Sequence, residues 1–260
     1  MTKKLILMAI FAHPDDEAFS SGGTLTKYAS EGIEIHLVTA TLGQQGQLAN
    51  PAVALTQPIG VLREQELRCA CEAYGVAHLH LLGYMDGQTT IAPQSEAVFK
   101  IVRLLRTIKP QVVLSFGPDG SYGHYDHLAV HRWATAAVDL APNPEHWPEA
   151  GPAHSVAKFY HRALPESTVQ NMEERFGRSA VMMDGVPFPF FGYPDEAITT
   201  VIDIRDQPAL SSSSSPTDLI EFNGGLYFTA FTDTGAKLLH RLESDGTLNT
   251  VQVNPDGSPS

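Results

Sequence analysis

The sequence predicts an α/β fold: a Rossmann-like, mostly parallel sheet with helices on both faces, followed by a small C-terminal β-meander. Three observations predict it. Leu5 to Phe11 is a short, unbroken apolar run, the pattern of a strand buried on both faces of a parallel sheet. Strand-like and helix-like stretches then alternate four times, as in doubly wound domains. Beyond the five serines Ser211 to Ser215 the pattern changes to short strands joined by hairpin dipeptides. The composition suits such a chain. Its 260 residues, 43% hydrophobic and 18% charged, suffice for one sizeable domain with an appendage and exclude a disordered or fibrous protein.

The elements follow in order. Leu5 to Phe11 is the first strand. Ala18 to Glu31 is a helix stopped by Gly32, and Ile33 to Thr39 the second strand. Ile59 to Tyr74 is a helix entered through Pro58, which suits a first turn because its missing N–H has no partner there anyway. His78 to Leu82 is a weaker third strand. Val98, Ile101, Val102, Leu105 and Ile108 keep helical spacing until Pro110 ends the helix. Val112 to Phe116 and Asp126 to Leu140 complete the fourth strand–helix pair. A polar, Pro-rich loop over Ala141 to Pro152 precedes a strand at Val156 to Tyr160, a helix at Ser167 to Phe176 and a strand at Ile198 to Ile204. We divide the chain into an α/β domain over 1–206, a Ser-rich linker over 207–217 and a β-hairpin tail over 218–260. The tail strands are Leu219 to Phe222, Leu226 to Phe231, Lys237 to Leu242 and Leu248 to Val253, with turns at Asn223-Gly224, Thr234-Gly235 and Asp245-Gly246. About 45 residues are too few to bury a core alone, so the tail docks, pairs with another subunit or stays mobile.

Charge and cysteine content narrow the function. Lys+Arg 17 against Asp+Glu 29 gives a net charge of -12, which disfavours nucleic acid and an anionic membrane surface as partners. No apolar run approaches 18 residues, and the start reads as a strand rather than a signal peptide, so the protein is expected to be cytoplasmic. Cys69 and Cys71 sit two apart on one helix and point to different faces; a disulfide or thiolate metal site is not expected. Eleven histidines make imidazole the ligand to look for. No G-x-G-x-x-G follows any strand, which excludes a dinucleotide site.

Two clusters carry the chemistry. His13-Pro14-Asp15-Asp16-Glu17 lies where the first strand ends, and ligands of open α/β sheets bind at the carboxyl ends of strands. One Asp there is explained by helix capping; the preceding His-Pro is not. Gly117 to His127 follows the fourth strand and contains His124-Tyr125-Asp126-His127. If strands one and four are neighbours across a switch point, His13, Asp16 and His127 form a two-imidazole, one-carboxylate set with an open position, as in catalytic zinc sites. His131, one turn beyond His127, is the rival ligand.

The stretch Ala12 to Glu17 together with His124 to His127 resembles the LmbE-like or PIG-L family of zinc-dependent de-N-acetylases of N-acetylglucosamine conjugates. The resemblance runs over about residues 3–205, through Gly22-Gly23-Thr24, Thr41-Leu42-Gly43, Arg63 with Glu66, and Leu82 to Gly87. It implies that His13, Asp16 and His127 hold the metal and that Asp15 is the general base. It further implies that His124, as imidazolium, stabilises the oxyanion, that Asp126 tunes this histidine, and that Tyr122 assists. Arg63 and Asp86 match positions that touch the sugar or its conjugate. Zn2+ is the implied cofactor, although Fe2+ can occupy the same ligands. The partner is then a small amino-sugar conjugate, and a homo-oligomer is compatible.

Two departures stand out. Gly43-Gln44-Gln45-Gly46-Gln47 replaces the glutamates of many relatives with neutral amides, and the usual C-terminal amphipathic helix gives way to the serine run and hairpins. A glycan-binding protein that keeps the pocket, or a metal-dependent phosphoesterase, is the alternative; the first needs no base and the second wants more carboxylates. His78 and His80 share one strand face and read as an ordinary polar strand end, while His36, His146, His154, His161 and His240 receive no role. Trp133 and Trp147 read as packing residues.

Overall fold

A computed structural model describes residues 4–46, 55, 57–177, 180–183 and 185–204, and the strand residues 214–222, 225–231, 237–242 and 248–251. The chain divides into two compact units, Met1–Ile202 and Asp203–Ser260. The first contains β1 (Ile6–Phe11), α1 (Asp16–Ser30), β2 (Glu34–Thr41), α2 (Ile59–Tyr74), β3 (His78–Tyr84), α3 (Gln94–Ile108), β4 (Val112–Phe116), α4 (Gly120–Gly123), α5 (Tyr125–Leu140), β5 (Lys158–Arg162), α6 (Glu166–Phe176), β6 (Ala180–Met183) and β7 (Val186–Pro189). β1 to β5 form a parallel sheet in the order β3-β2-β1-β4-β5. The chain winds outward from β1 through β2 to β3, then returns to the other side of β1 for β4 and β5. With right-handed crossovers this reversal puts α1 and α2 on one face and α3 and α5 on the other. Each pair packs together, α1 with α2 and α3 with α5.

The apolar runs read from the sequence are the core. Leu7 to Phe11 of β1 and Ile35, Leu37 and Val38 of β2 are buried, as are the Ala97, Val98, Ile101, Val102 and Leu105 positions of α3. Each such Ile, Leu or Phe contributes roughly 1.5–3 kcal/mol of transfer free energy. Helix ends follow the punctuation of the sequence: Gly75 closes α2 at φ 71 and Lys109 closes α3 at φ 60, just before Pro110. Arg106 is the unexpected core residue. It is fully buried on α3, and its guanidinium donates to the carbonyls of Leu140, Ala141, Asn143, His146, Trp147 and Gly151. It thereby gathers the loop after α5 around one cation.

Three expectations about the later chain need correction. The strand placed at 156–160 lies two residues on, at Lys158–Arg162, in register with β4. Residues 198–204 belong to no strand among the described residues, and Val201 is 83% exposed there. Their β-branched residues favour a strand, but propensity alone does not make one. The antiparallel pair β6–β7 was not foreseen, because four-residue strands carry too short a pattern to read.

The second unit is an antiparallel meander of β8 (Ser214–Phe222), β9 (Gly225–Phe231), β10 (Lys237–Leu242) and β11 (Leu248–Val251), in the order β11-β10-β9-β8. β8 starts at Ser214, inside the stretch read as linker. The three hairpin dipeptides and residues 205–213 lie outside the described residues. No helix among the described residues is long and apolar enough to cross a membrane.

Candidate active site

β1 and β4 are parallel neighbours, Ile10 opposite Ser115, and the Ser115 hydroxyl donates to the Ile10 carbonyl at 2.8 Å. Their carboxyl ends therefore open side by side at the point where strand order reverses, which brings the His13–Glu17 turn to the start of α5. Hydrogen bonding then orients each ring. His127 Nδ1 donates to the Gly120 carbonyl at 3.1 Å, which leaves Nε2 as a bare lone pair. His13 Nε2 donates to Asp126 Oδ2 and lies 3.0 Å from Asp86 Oδ1 as well, which turns Nδ1 towards His127 and Asp16. Asp16 Oδ2 accepts the N–H groups of Ala12 and His13, at 3.2 and 2.8 Å, so Oδ1 is turned towards His127.

These atoms converge. His127 Nε2 lies 3.3 Å from His13 Nδ1 and 3.2 Å from Asp16 Oδ1, and His13 Nδ1 is 3.5 Å from the Asp16 carboxylate. Ligands bound tetrahedrally at about 2.0–2.1 Å are separated by about 3.3–3.4 Å, so the two separations from His127 Nε2 match a zinc-sized ion. His13, His124 and His127 can also each offer a donor within 4.8 Å of the others. The charge balance asks for a cation. Asp16, Asp86, Asp126 and Glu17 are all buried here, and uncompensated buried carboxylates are costly. Burial pushes the Asp16 carboxyl up, but His127 and His13 outweigh it and hold it well below the usual range. Burial likewise pushes His13 down, and its hydrogen bonds to Asp126, Asp16 and Asp86 hold it well above.

Asp15, between His13 and Asp16 in this turn, adopts a left-handed conformation, φ 115, a strained geometry for a residue with a Cβ. Glu17 supports that turn by accepting the Asp15 N–H at 3.1 Å; burial raises its own carboxyl to about 7. Arg63 clamps the other side. Its Nη2 donates to Asp15 Oδ2 at 2.6 Å and to the Pro14 carbonyl. Burial in the cleft and the charge of Asp16 raise Asp15 to about 6, while Arg63 opposes them. About half of the Asp15 side chain meets solvent, so the carboxylate is reachable from outside.

His124 completes the cluster, its ring stacked 4.7 Å from that of His127. Its Nδ1 accepts the backbone N–H of Asp126 at 3.1 Å, so the neutral ring carries its hydrogen on Nε2. Burial, with the neighbouring His127 and His13, lowers its pKa to about 4. The structure thus has a neutral, Nε2-protonated donor where an imidazolium was expected. The Tyr122 ring lies 6.0 Å from His124 and 5.2 Å from His127, and burial holds its phenol protonated.

Two roles differ from expectation. The Asp126 carboxylate is on His13, Gly87 N–H and the Thr89 hydroxyl rather than on His124, which meets only its backbone. Asp86 is buried against His13 and the Gln45 N–H, not turned to an open face. The rival ligand His131 donates to the Phe116 carbonyl at 2.9 Å and packs on His161. Gln44 is part of the scaffold: its amide oxygen accepts from Leu42 and Asp86 N–H groups. Thr89 and Arg162 went unnoticed in the sequence, and Glu17, though it stands in the first motif, was given no role. Arg162 donates to the Ser121 hydroxyl at 2.8 Å and so braces the φ 69 turn before Tyr122. Thr89 and Arg162 belong to neither motif, and only a spatial neighbour reveals them.

Comparison with known proteins shows the family. The family described as PIG-L, GlcNAc-PI de-N-acetylase, matches residues 8–138. A 1D-myo-inositol 2-acetamido-2-deoxy-alpha-D-glucopyranoside deacetylase of Geodermatophilus obscurus is 35% identical over 236 residues, 79% of each chain. The same-named protein of Streptomyces scabiei is 36% identical over 203 residues, 70% of this chain and 63% of its own length, so the chain spans under two thirds of that relative. Among solved structures, N,N'-diacetylchitobiose deacetylase from Pyrococcus horikoshii superposes with a TM-score of 0.54 at 24% identity over 60% of each chain, a likeness of fold. The chain belongs to the PIG-L family of de-N-acetylases, hydrolytic enzymes by class.

Proposed function

We propose that the protein is a zinc-dependent deacetylase that removes the N-acetyl group of an N-acetylglucosamine-type conjugate, releasing acetate and a free amine. The observation that carries this reading is the approach of His127 Nε2 to His13 Nδ1 at 3.3 Å and to Asp16 Oδ1 at 3.2 Å, with Asp16 Oδ2 3.5 Å from His13 Nδ1, beside a half-exposed carboxylate. Bound zinc would supply a Lewis acid that lowers the pKa of its water towards about 7 and polarises the acetyl carbonyl. Asp15 takes the proton of the attacking water at its free oxygen, the other being held by Arg63. His124 donates its Nε2–H to the oxygen that gains charge, a contribution of about 3 kcal/mol for one well-placed donor. Asp15 then returns its proton to the nitrogen as the C–N bond breaks. Asp126 and Asp86 keep the His13 ring turned so that Nδ1 faces the metal. Arg63 keeps a role at the sugar through donors left free by Asp15 and Pro14. The enzyme works in the cytoplasm in this reading, which the unpaired Cys69 and Cys71 support.

The test is acetate release from a panel of N-acetyl amino sugars, beginning with the inositol-linked 2-acetamido-2-deoxyglucopyranoside named for the relatives. Release should stop after chelation and return with zinc. Sugar binding without acetate release, with zinc present, would contradict the proposal.

A further inference from the structure

The active site uses three of the histidines; three others meet elsewhere. Glu34 and His36 alternate on β2 and so share a face, as do His78 and His80 on the edge strand β3. The parallel register sets His36 opposite His78 and Val38 opposite His80. His36 lies level with Met8 of β1, so this cluster sits about 16 Å along the strands from His13, towards their amino ends. His36 Nε2 is 2.9 Å from Glu34 Oε1, and His78 Nε2 is 3.7 Å from the same oxygen. Glu34, His36 and His78 each offer a ligand atom within 4.8 Å of the others. His36 Nδ1 lies 3.0 Å from His80 Nε2, and Lys4 pairs with the other Glu34 oxygen at 3.0 Å.

We propose that Glu34 Oε1, His36 Nε2 and His78 Nε2 form a second metal site, taking a divalent transition ion such as zinc and tying the edge strand β3 to β2. Two imidazoles and one carboxylate are a donor set that such ions prefer. To reach the tetrahedral spacing of about 3.4 Å the pair at 2.9 Å opens and the pair at 3.7 Å closes by a few tenths of an ångström, and the two imidazoles already offer nitrogens within 4.8 Å of each other. At 3.7 Å His78 is too far to hydrogen-bond Glu34, so without an ion its Nε2 gains little from facing that oxygen. Half of the His78 side chain is exposed, which gives an ion a way in. The surrounding groups fit a bound state. As His36 gives Nε2 to the metal, its hydrogen moves to Nδ1 and is donated to His80 Nε2, whose own hydrogen moves to Nδ1; no proton is released. His80 then orients His36 as Asp126 orients His13, and Lys4 fixes the Glu34 carboxylate.

The test is zinc content of the full-length protein after equilibrium dialysis at neutral pH. Two equivalents per chain are expected for the wild type, one for His78→Ala and one for His127→Ala. His80→Ala should keep the second site but weaken it about tenfold to a hundredfold. His78 is largely exposed, so its truncation leaves the fold in place. One equivalent in the wild type that survives His78→Ala and is lost in His127→Ala overturns this inference while leaving the active-site proposal standing. One equivalent that survives His127→Ala and is lost in His78→Ala supports it and counts against the active-site metal instead.

Discussion

Asp126→Asn isolates the part of the site that the sequence alone did not place. The Asp126 carboxylate is fully buried and holds four donors: the His13 ring at 3.0 Å, Gly87 N–H at 2.7 Å, the Thr89 hydroxyl at 2.6 Å and Thr89 N–H at 3.4 Å. Asparagine keeps the shape but supplies only one acceptor oxygen and no charge. With that oxygen on Gly87 and His13, the new NH2 faces the Thr89 hydroxyl, which can turn to accept, and the Thr89 N–H loses its weak partner. The ring of His13 loses its charged acceptor, and with it basicity at Nδ1. Loss of such an outer partner weakens metal binding about 10–100-fold, or about 1.4–2.8 kcal/mol. Asp86 still lies 3.0 Å from the same nitrogen, so the effect belongs at the lower end. The double variant with Asp86→Asn should lose more than the two single losses combined, because each carboxylate covers for the other. Chelator competition reads the zinc affinity directly, and urea unfolding of the metal-free protein separates it from fold stability. Zinc affinity within twofold of the wild type for Asp126→Asn, or strictly additive losses, would refute the assignment of Asp126 to His13.

Three further outcomes follow from named contacts. Arg106→Lys replaces a fork that meets six carbonyls with three donors on a flexible stem. It should cost about 2–4 kcal/mol in chemical unfolding, and a loss below about 0.5 kcal/mol would contradict the role given to that cation. His131→Ala should leave the zinc content unchanged, since His131 is committed to the Phe116 carbonyl; loss of an equivalent would restore it as a ligand. Arg63→Met removes the cation that opposes the rise of Asp15 to about 6. The base must be ionised to act, so the acid limb of the kcat/KM profile should move to higher pH, and an unmoved limb would separate that limb from Asp15.

The parts of the fold legible in the sequence are those with long, strongly periodic patterns. β1, β2 and β4 announce themselves as apolar runs, and α3 as a stripe at 98, 101, 102 and 105. Even the neighbourhood of β1 and β4 follows from two polar clusters that need each other. The hairpin of β6 and β7 and the irregular course of 198–204 were illegible because partner strands, not local propensity, decide there. The same holds within the site. His13, Asp16 and His127 could be grouped from motif spacing, but the partner of the Asp126 carboxylate depends on which way a buried side chain turns. The acceptors of Arg106 lie 34 to 45 residues away, and the meeting of His36 with His78 and His80 depends on strand register. Neither leaves a local trace.

The central claim is that His13, Asp16 and His127 hold a catalytic metal while Asp15 moves the proton. Zinc content and acetate release, measured together on Asp15→Asn, test it most directly. Asp15 is outside the ligand set, so the variant should bind zinc in the same number of equivalents as the wild type. Its turnover should fall by roughly a hundredfold to ten-thousandfold, the usual worth of a general base. Retention of full turnover with zinc bound, or loss of zinc along with turnover, would contradict the account.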